Sequence, residues 1–207
     1  MRRTLHLSRV SVLTLIASAG ASHAISASAA PDGSHDAARS RQVATAVQIT
    51  HVTEQFSCDY ETFTRNIMSL LGRLNRADTA LAATDREAAV NRLQASQGEL
   101  GLMYFYSNDH GALFPLIGQP LRKAVRYYLG NPLIAIQMTQ FNQGAGLYAP
   151  LTMLVYEMAP GTVKVEYDRP SSMFAQFNDP RIDDVGKSLD SKIQALLVKA
   201  DTCSTGH

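Results

Sequence analysis

The sequence predicts an α+β fold, a mainly antiparallel sheet with helices packed on one face. Three observations carry that expectation. Residues 152–158 and 162–168 are strand-like runs separated by Ala159-Pro160-Gly161, the pattern of a β-hairpin. Ile182, Val185, Leu189, Ile193, Leu196 and Leu197 follow Asp179-Pro180 at helical spacing and mark a long amphipathic helix. The full order is a strand, two helices, four strands with short helices between them, and a terminal helix. One layer of helices on an antiparallel sheet satisfies it.

Taken in order, residues 42–56 carry β-branched residues in partial alternation and predict the first strand. Asp59 can cap the next helix, whose stripe is Phe63, Ile67, Leu70, Leu71 and Leu74. A break is expected near residues 75–79. Thr84-Asp85-Arg86-Glu87 then reads as a capping box opening a second helix, with Ala89, Val90 and Leu93 inward and Gly98 as its stop. Residues 100–106 predict a buried strand ending in the polar turn Ser107-Asn108-Asp109-His110-Gly111, and residues 112–117 a helical turn. Residues 122–129 predict another strand. Gly130-Asn131-Pro132 ends it and places proline at the first position of a short apolar helix. In the second hairpin strand Val163, Val165 and Tyr167 share one face, while Thr162, Lys164 and Glu166 share a wet one.

The first residues read as an address. Arg2, Arg3 and Arg9 precede a twelve-residue uncharged run, and small residues offer cleavage after Ala24 or Ala29, the order of a secretory signal peptide. The run is well short of the roughly 20 residues that a spanning helix needs. The expected organisation is a signal peptide over 1–29, a flexible leader over 30–41, one domain over 42–200 and a tail over 201–207. The expected location is periplasmic or secreted. The whole chain carries 19 Lys and Arg against 18 Asp and Glu. Removal of the signal leaves 16 basic residues against 18 acidic ones, a formal charge of −2. That balance argues against nucleic acid as a partner, and no stable membrane span is expected.

Four elements occur in a fixed order: Asp109-His110-Gly111, Gly130-Asn131-Pro132, Leu147-Tyr148-Ala149-Pro150-Leu151 and Tyr167-Asp168-Arg169-Pro170-Ser171. In that order and spacing the chain resembles the bacterial domain of unknown function 302 family over roughly residues 45–198. The resemblance implies a TATA-binding-protein-like β-α-β-β-β-β-α fold. An extra helix follows the first, within a stretch from about 78 to 98 that reads as an insertion beyond the minimal domain. The signal peptide and the cysteines lie outside the family's core pattern, and its name assigns no biochemical role.

Candidate site residues follow from position and chemistry. The resemblance puts Asp109 and His110 at the same strand end in the family. An imidazole there suits proton transfer, or ligation of a metal or haem; local hydrogen bonds closing the turn are the alternative. Asn131 could bind a ligand or cap the following helix, and Arg169 could hold a carboxylate or phosphate or pair with Asp168. Tyr148 and Tyr167 could add hydroxyls to a pocket. Met103, Met138 and Met153 could be soft ligands but fit core packing better. No metal site is expected. Cys58 and Cys203, the only cysteines, suit a structural disulfide in an oxidising compartment, with a redox or metal-binding thiol as the alternative.

There is no G-x-S-x-G elbow, phosphate-binding glycine loop, H-E-x-x-H or C-x-x-C-H. The leading expectation is therefore a non-catalytic module for an unidentified small ligand, with haem as the cofactor considered. The ligand would sit near the turn at Asp109 and His110 and the helix start at Asn131. The alternatives are an enzyme using His110 as general acid–base with Tyr148 or Tyr167 assisting, and a structural or interaction protein of the cell envelope. Homodimerisation is left open.

Overall fold

The computed structural model describes residues 41–205, so the expected signal peptide, nearly all of the leader and the last two residues lie outside the described residues. The chain divides after Val43, and the sheet and helices all lie in the unit that begins at Ala44. Residues 41–50 have no regular structure and are exposed, and the first strand, β1, is only His51–Phe56. The expected strand was too long because β1 is defined by its partner: His51 pairs with Asp168 and Phe56 with Val163.

Asp59 caps α1 (Tyr60–Leu70) by accepting a hydrogen bond from Thr62 N at 2.9 Å, and Phe63 and Ile67 turn inward. The helix stops before Leu71 and Leu74, which were expected on its stripe. Gly72 and Arg73 instead form β2, parallel to the start of β3 (Met103–Asp109). A Cβ on Gly72 would collide with the Ser96 carbonyl, so only glycine lets the chain pass there. The expected break contains a short helix, α2 (Arg76–Ala80), capped by Asn75. The next helix, α3 (Arg86–Ala95), is capped by Asp85 and not by Thr84, whose hydroxyl donates back to Leu81 O.

β3 runs through Asp109, beyond the expected end at 106, because it stays paired with β4 (Ala124–Gly130) as far as Asp109 opposite Val125. A 3₁₀ turn over Gly111–Ile117 follows β3, and α4 (Pro132–Thr139) follows β4. The hairpin is β5 (Leu151–Ala159) and β6 (Thr162–Asp168), turning at Gly161 with φ +77°. Arg169 opens the short α5 (Pro170–Phe174), and Asp179 caps α6 (Pro180–Ala200).

The sheet order is β1-β6-β5-β4-β3-β2, antiparallel throughout except at the short β2 edge. The fold class is thus the expected α+β, with one small strand more than the sequence order contained. Alternation sorts the two faces. Leu129, Met153, Val155, Val163 and Val165 point into a core closed by Phe63, Phe174, Ile193, Leu196 and Leu197 of α1, α5 and α6. Met103, Met138 and Met153 are buried to within 1% exposure, which suits packing rather than ligation. Cys58 and Cys203 form a disulfide across 145 residues, tying the entry of α1 to the turn after α6. No helix among the described residues is long and apolar enough to cross a membrane.

Candidate functional site: the open face of the sheet

The residues that alternate with the core stand on the opposite face. They are His51, Thr53 and Gln55 of β1, Lys164, Glu166 and Asp168 of β6, Thr152, Leu154 and Tyr156 of β5, and Ala124, Arg126 and Tyr128 of β4. The loop after β3 brings Phe114 and Arg122 to one end of this face, and with His51, Arg126, Leu154 and Glu166 they line a trough of about 810 Å³.

The two ends of the trough differ in charge. At one end His51 stands between two carboxylates, with Nδ1 3.0 Å from Asp168 Oδ1 and Nε2 3.4 Å from Glu166 Oε2. Tyr156 donates to Glu166 Oε1 at 2.6 Å, and Lys164 Nζ lies 3.2 Å from the same oxygen. The Asp168 hydrogen bond, with the nearby negative charge, raises the His51 pKa above its ordinary value. The bond from Tyr156, aided by Lys164, lowers that of Glu166. At the other end Arg122 lies 4.2 Å over the Phe114 ring and donates to Gln119 Oε1 at 3.0 Å. Arg126 lies 5.0 Å over the Tyr128 ring, which itself stacks on Tyr106 at 4.1 Å. Among the described residues no carboxylate comes within ion-pair distance of Arg122 or Arg126. Lys123, between them in sequence, is neutralised by Glu61 and Glu157, each at 3.0 Å.

The structure separates the expected site residues. Asp109 ends β3 and His110 follows it, whereas Asn131 follows the far end of β4, since Asp109 faces Val125 and Met103 faces Gly130. A single ligand bridging the Asp109–His110 turn and the Asn131 helix start is therefore not what the fold builds. Asp109 closes its turn by accepting from Ala112 N at 3.0 Å, while the exposed His110 lines the trough. Asn131 is buried and commits both ends of its amide: Oδ1 accepts from Leu133 N and Nδ2 donates to Gly101 O, both at 2.8 Å. It borders a second, apolar cavity of about 220 Å³ between α4 and the start of β5.

Tyr148 does not line the trough, whereas Tyr167 borders it together with His110. The Tyr148 hydroxyl donates to Gln176 Oε1 at 3.3 Å, and its ring packs edge-on to Phe174 and Phe177. Tyr167 alternates with Asp168 and donates its hydroxyl to Glu54 at 3.0 Å; burial, and then Glu54, push its pKa up. The hydroxyls of the two tyrosines are thus bonded to Gln176 and Glu54, respectively. Arg169 borders a shallow cavity against α6 with Tyr167 and Asp190, and Asp168 pairs with His51 in place of Arg169. Sequence reading missed His51, Arg126 and Glu166 as neighbours. The wet stripe of β6 was visible, but which strand would lie beside it was not.

A family model described as "Domain of unknown function DUF302" matches residues 78–200. The stretch from 78 to 98, expected as an insertion outside the minimal domain, thus falls inside the matched region, while β1 and α1 fall before it. A crystal structure of an uncharacterised conserved DUF302 protein from Bacillus stearothermophilus superposes with a TM-score of 0.51 at 16% identity. It covers 72% of this chain and 97% of that one, a likeness of fold. No curated protein matches the sequence.

Proposed function

The chain belongs to the DUF302 family, and from that premise we propose that it is an exported, non-catalytic protein that holds a small anionic ligand in the trough on the open sheet face. One observation carries the reading. Arg122 and Arg126 present guanidinium groups at one end of the trough with no carboxylate partner among the described residues, beside the exposed His110. A guanidinium held on an aromatic ring is oriented and ready to bind a carboxylate or phosphate through paired N–H donors. Leu154, Ala124 and Met158 supply an apolar floor, so the ligand class is an amphipathic anion. Haem belongs to that class: its carboxylates would meet the arginines and its iron would meet His110. The disulfide supports export, since such bonds persist in oxidising compartments.

Two measurements test the reading. Haemin and a panel of aromatic carboxylates and phosphates are titrated into the disulfide-intact protein by calorimetry and absorbance. Arg122→Gln and Arg126→Gln are each expected to weaken binding by about 10- to 100-fold, the worth of a charge-assisted hydrogen bond. Binding unchanged in both variants, or no binding across the panel, defeats the ligand reading. Mass analysis of the chain recovered from host fractions tests export, which predicts a mature N-terminus after Ala24 or Ala29 outside the cytoplasm.

A further inference from the structure

The loop between β3 and β4 exposes an unusual amount of aliphatic surface. Leu116 is 81% exposed, Ile117 and Leu121 each 72%, and Leu113 52%. Isolated exposed leucines are ordinary, but four on one nine-residue stretch form a patch of the kind that marks an interaction site.

The loop's backbone is closed on itself. Leu113 N donates to His110 O, Gly118 N to Pro115 O, Gln119 N to Phe114 O and Arg122 N to Gly111 O, at 3.0–3.3 Å. Ala112 N is taken by the Asp109 carboxylate, and Pro115 and Pro120 have no N–H to satisfy. A loop with so few free donors can enter an apolar medium without the usual cost of stripping water from its backbone. Its charge is one-sided as well. From His110 to Lys123 there is no acidic residue. Lys123 is spent on Glu61 and Glu157, which leaves Arg122 as the cation at the loop's base.

We infer that this loop docks on a lipid surface bearing anionic headgroups, with Leu113, Leu116, Ile117 and Leu121 entering the interface and Arg122 meeting the headgroups. Interfacial binding of this kind combines buried apolar area with electrostatic attraction and is reversible. A second copy of the chain suits the patch less well: a stable dimer needs roughly 800 Å² on each partner, and these four side chains lie within one nine-residue stretch. The apolar half of the inference stands apart from the ligand reading, because Leu113, Leu116, Ile117 and Leu121 do not line the trough. Arg122 is shared by both, so the Leu116→Asp, Ile117→Asp variant is the arm that separates them.

The test is co-sedimentation of the disulfide-intact protein with phosphatidylcholine vesicles and with vesicles that also contain phosphatidylglycerol. Sedimentation is expected with the anionic vesicles, falling at least tenfold in the double variant Leu116→Asp, Ile117→Asp. Arg122→Gln is expected to weaken binding to anionic vesicles alone. Both variants change exposed side chains, and matching thermal melts confirm that they remain folded. Absence of binding to either vesicle, or equal binding by the double variant, overturns the proposal. So does a concentration-dependent dimer in sedimentation velocity that the double variant abolishes, which would assign the patch to a second copy.

Discussion

His51 lies between Asp168 and Glu166 and is held in its charged form by both. Its folded pKa lies above the unfolded value, so its contribution to stability is fully present below about pH 6.5. That contribution is lost as the pH rises through the higher folded value. The effect is small because the ring is more than half exposed and solvent screens the pairs. A proton NMR titration should place the His51 midpoint above 6.5, and Asp168→Asn should bring it back toward 6.5. A midpoint at or below 6.5 that ignores the substitution would show that the pairing is not populated in solution. Glu166 has the opposite sign: its pKa is lowered, so its share is present above the unfolded value and fades as the pH falls. The same residue scale explains Asn131. A buried amide with both ends bonded holds the start of α4 and the Gly101 turn together, which is a structural task.

At the scale of elements, the β3–β4 loop depends on its neck. Gly111 lies so close to the Arg122 backbone that a Cβ there would collide with the Arg122 carbonyl and stand 2.9 Å from Ala124 N. Neither atom belongs to a flexible side chain. Gly111→Ala should therefore cost about 1–3 kcal/mol, as overpacking usually does, and lower the melting temperature by several degrees. Gly146→Ala, where the new methyl would meet only Thr139 Cγ2 at 3.6 Å, is the matched control and should be near neutral. Equal melting temperatures for the two variants would show that the neck can relax. Much at this scale was readable from sequence, because helix starts are local events. Asp59, Asn131 and Asp179 each cap the helix expected of them through a hydrogen bond two or three residues away. The ends of β1 and β3 were not readable, because a strand ends where its partner does.

For the whole molecule, the disulfide joins elements that are otherwise coupled by the packing of α1 on α6 and by Asn66 Nδ2 donating to Ala200 O at 2.9 Å. Cys58 is 2% exposed and part of the core. Closing a loop of 145 residues restricts the unfolded chain, so the double variant Cys58→Ser, Cys203→Ser should lose about 2–5 kcal/mol. Equilibrium urea unfolding of oxidised wild type and variant measures it, and the variant's m-value should not fall, since its unfolded chain is free to expand. Coincident midpoints would mean that the link adds nothing.

The sequence by itself determined the α+β class, the hairpin and the terminal helix, because periodicity, caps and turns act over a few residues; of its two readings of the cysteines, the fold chose the disulfide. The sequence also held the resemblance that the family model bears out. Only the tertiary structure decided which candidates meet. Asp109 and His110 went to one end of a strand pair and Asn131 to the other, while Tyr148 and Tyr167 turned to Gln176 and Glu54. His51, absent from the expected site, was brought 117 residues along the chain to Asp168. Strand order and register are long-range choices, made by burying Val163, Val165 and Met153 under the helices. The face left uncovered by that burial is where Arg126, Glu166 and His51 stand in one trough.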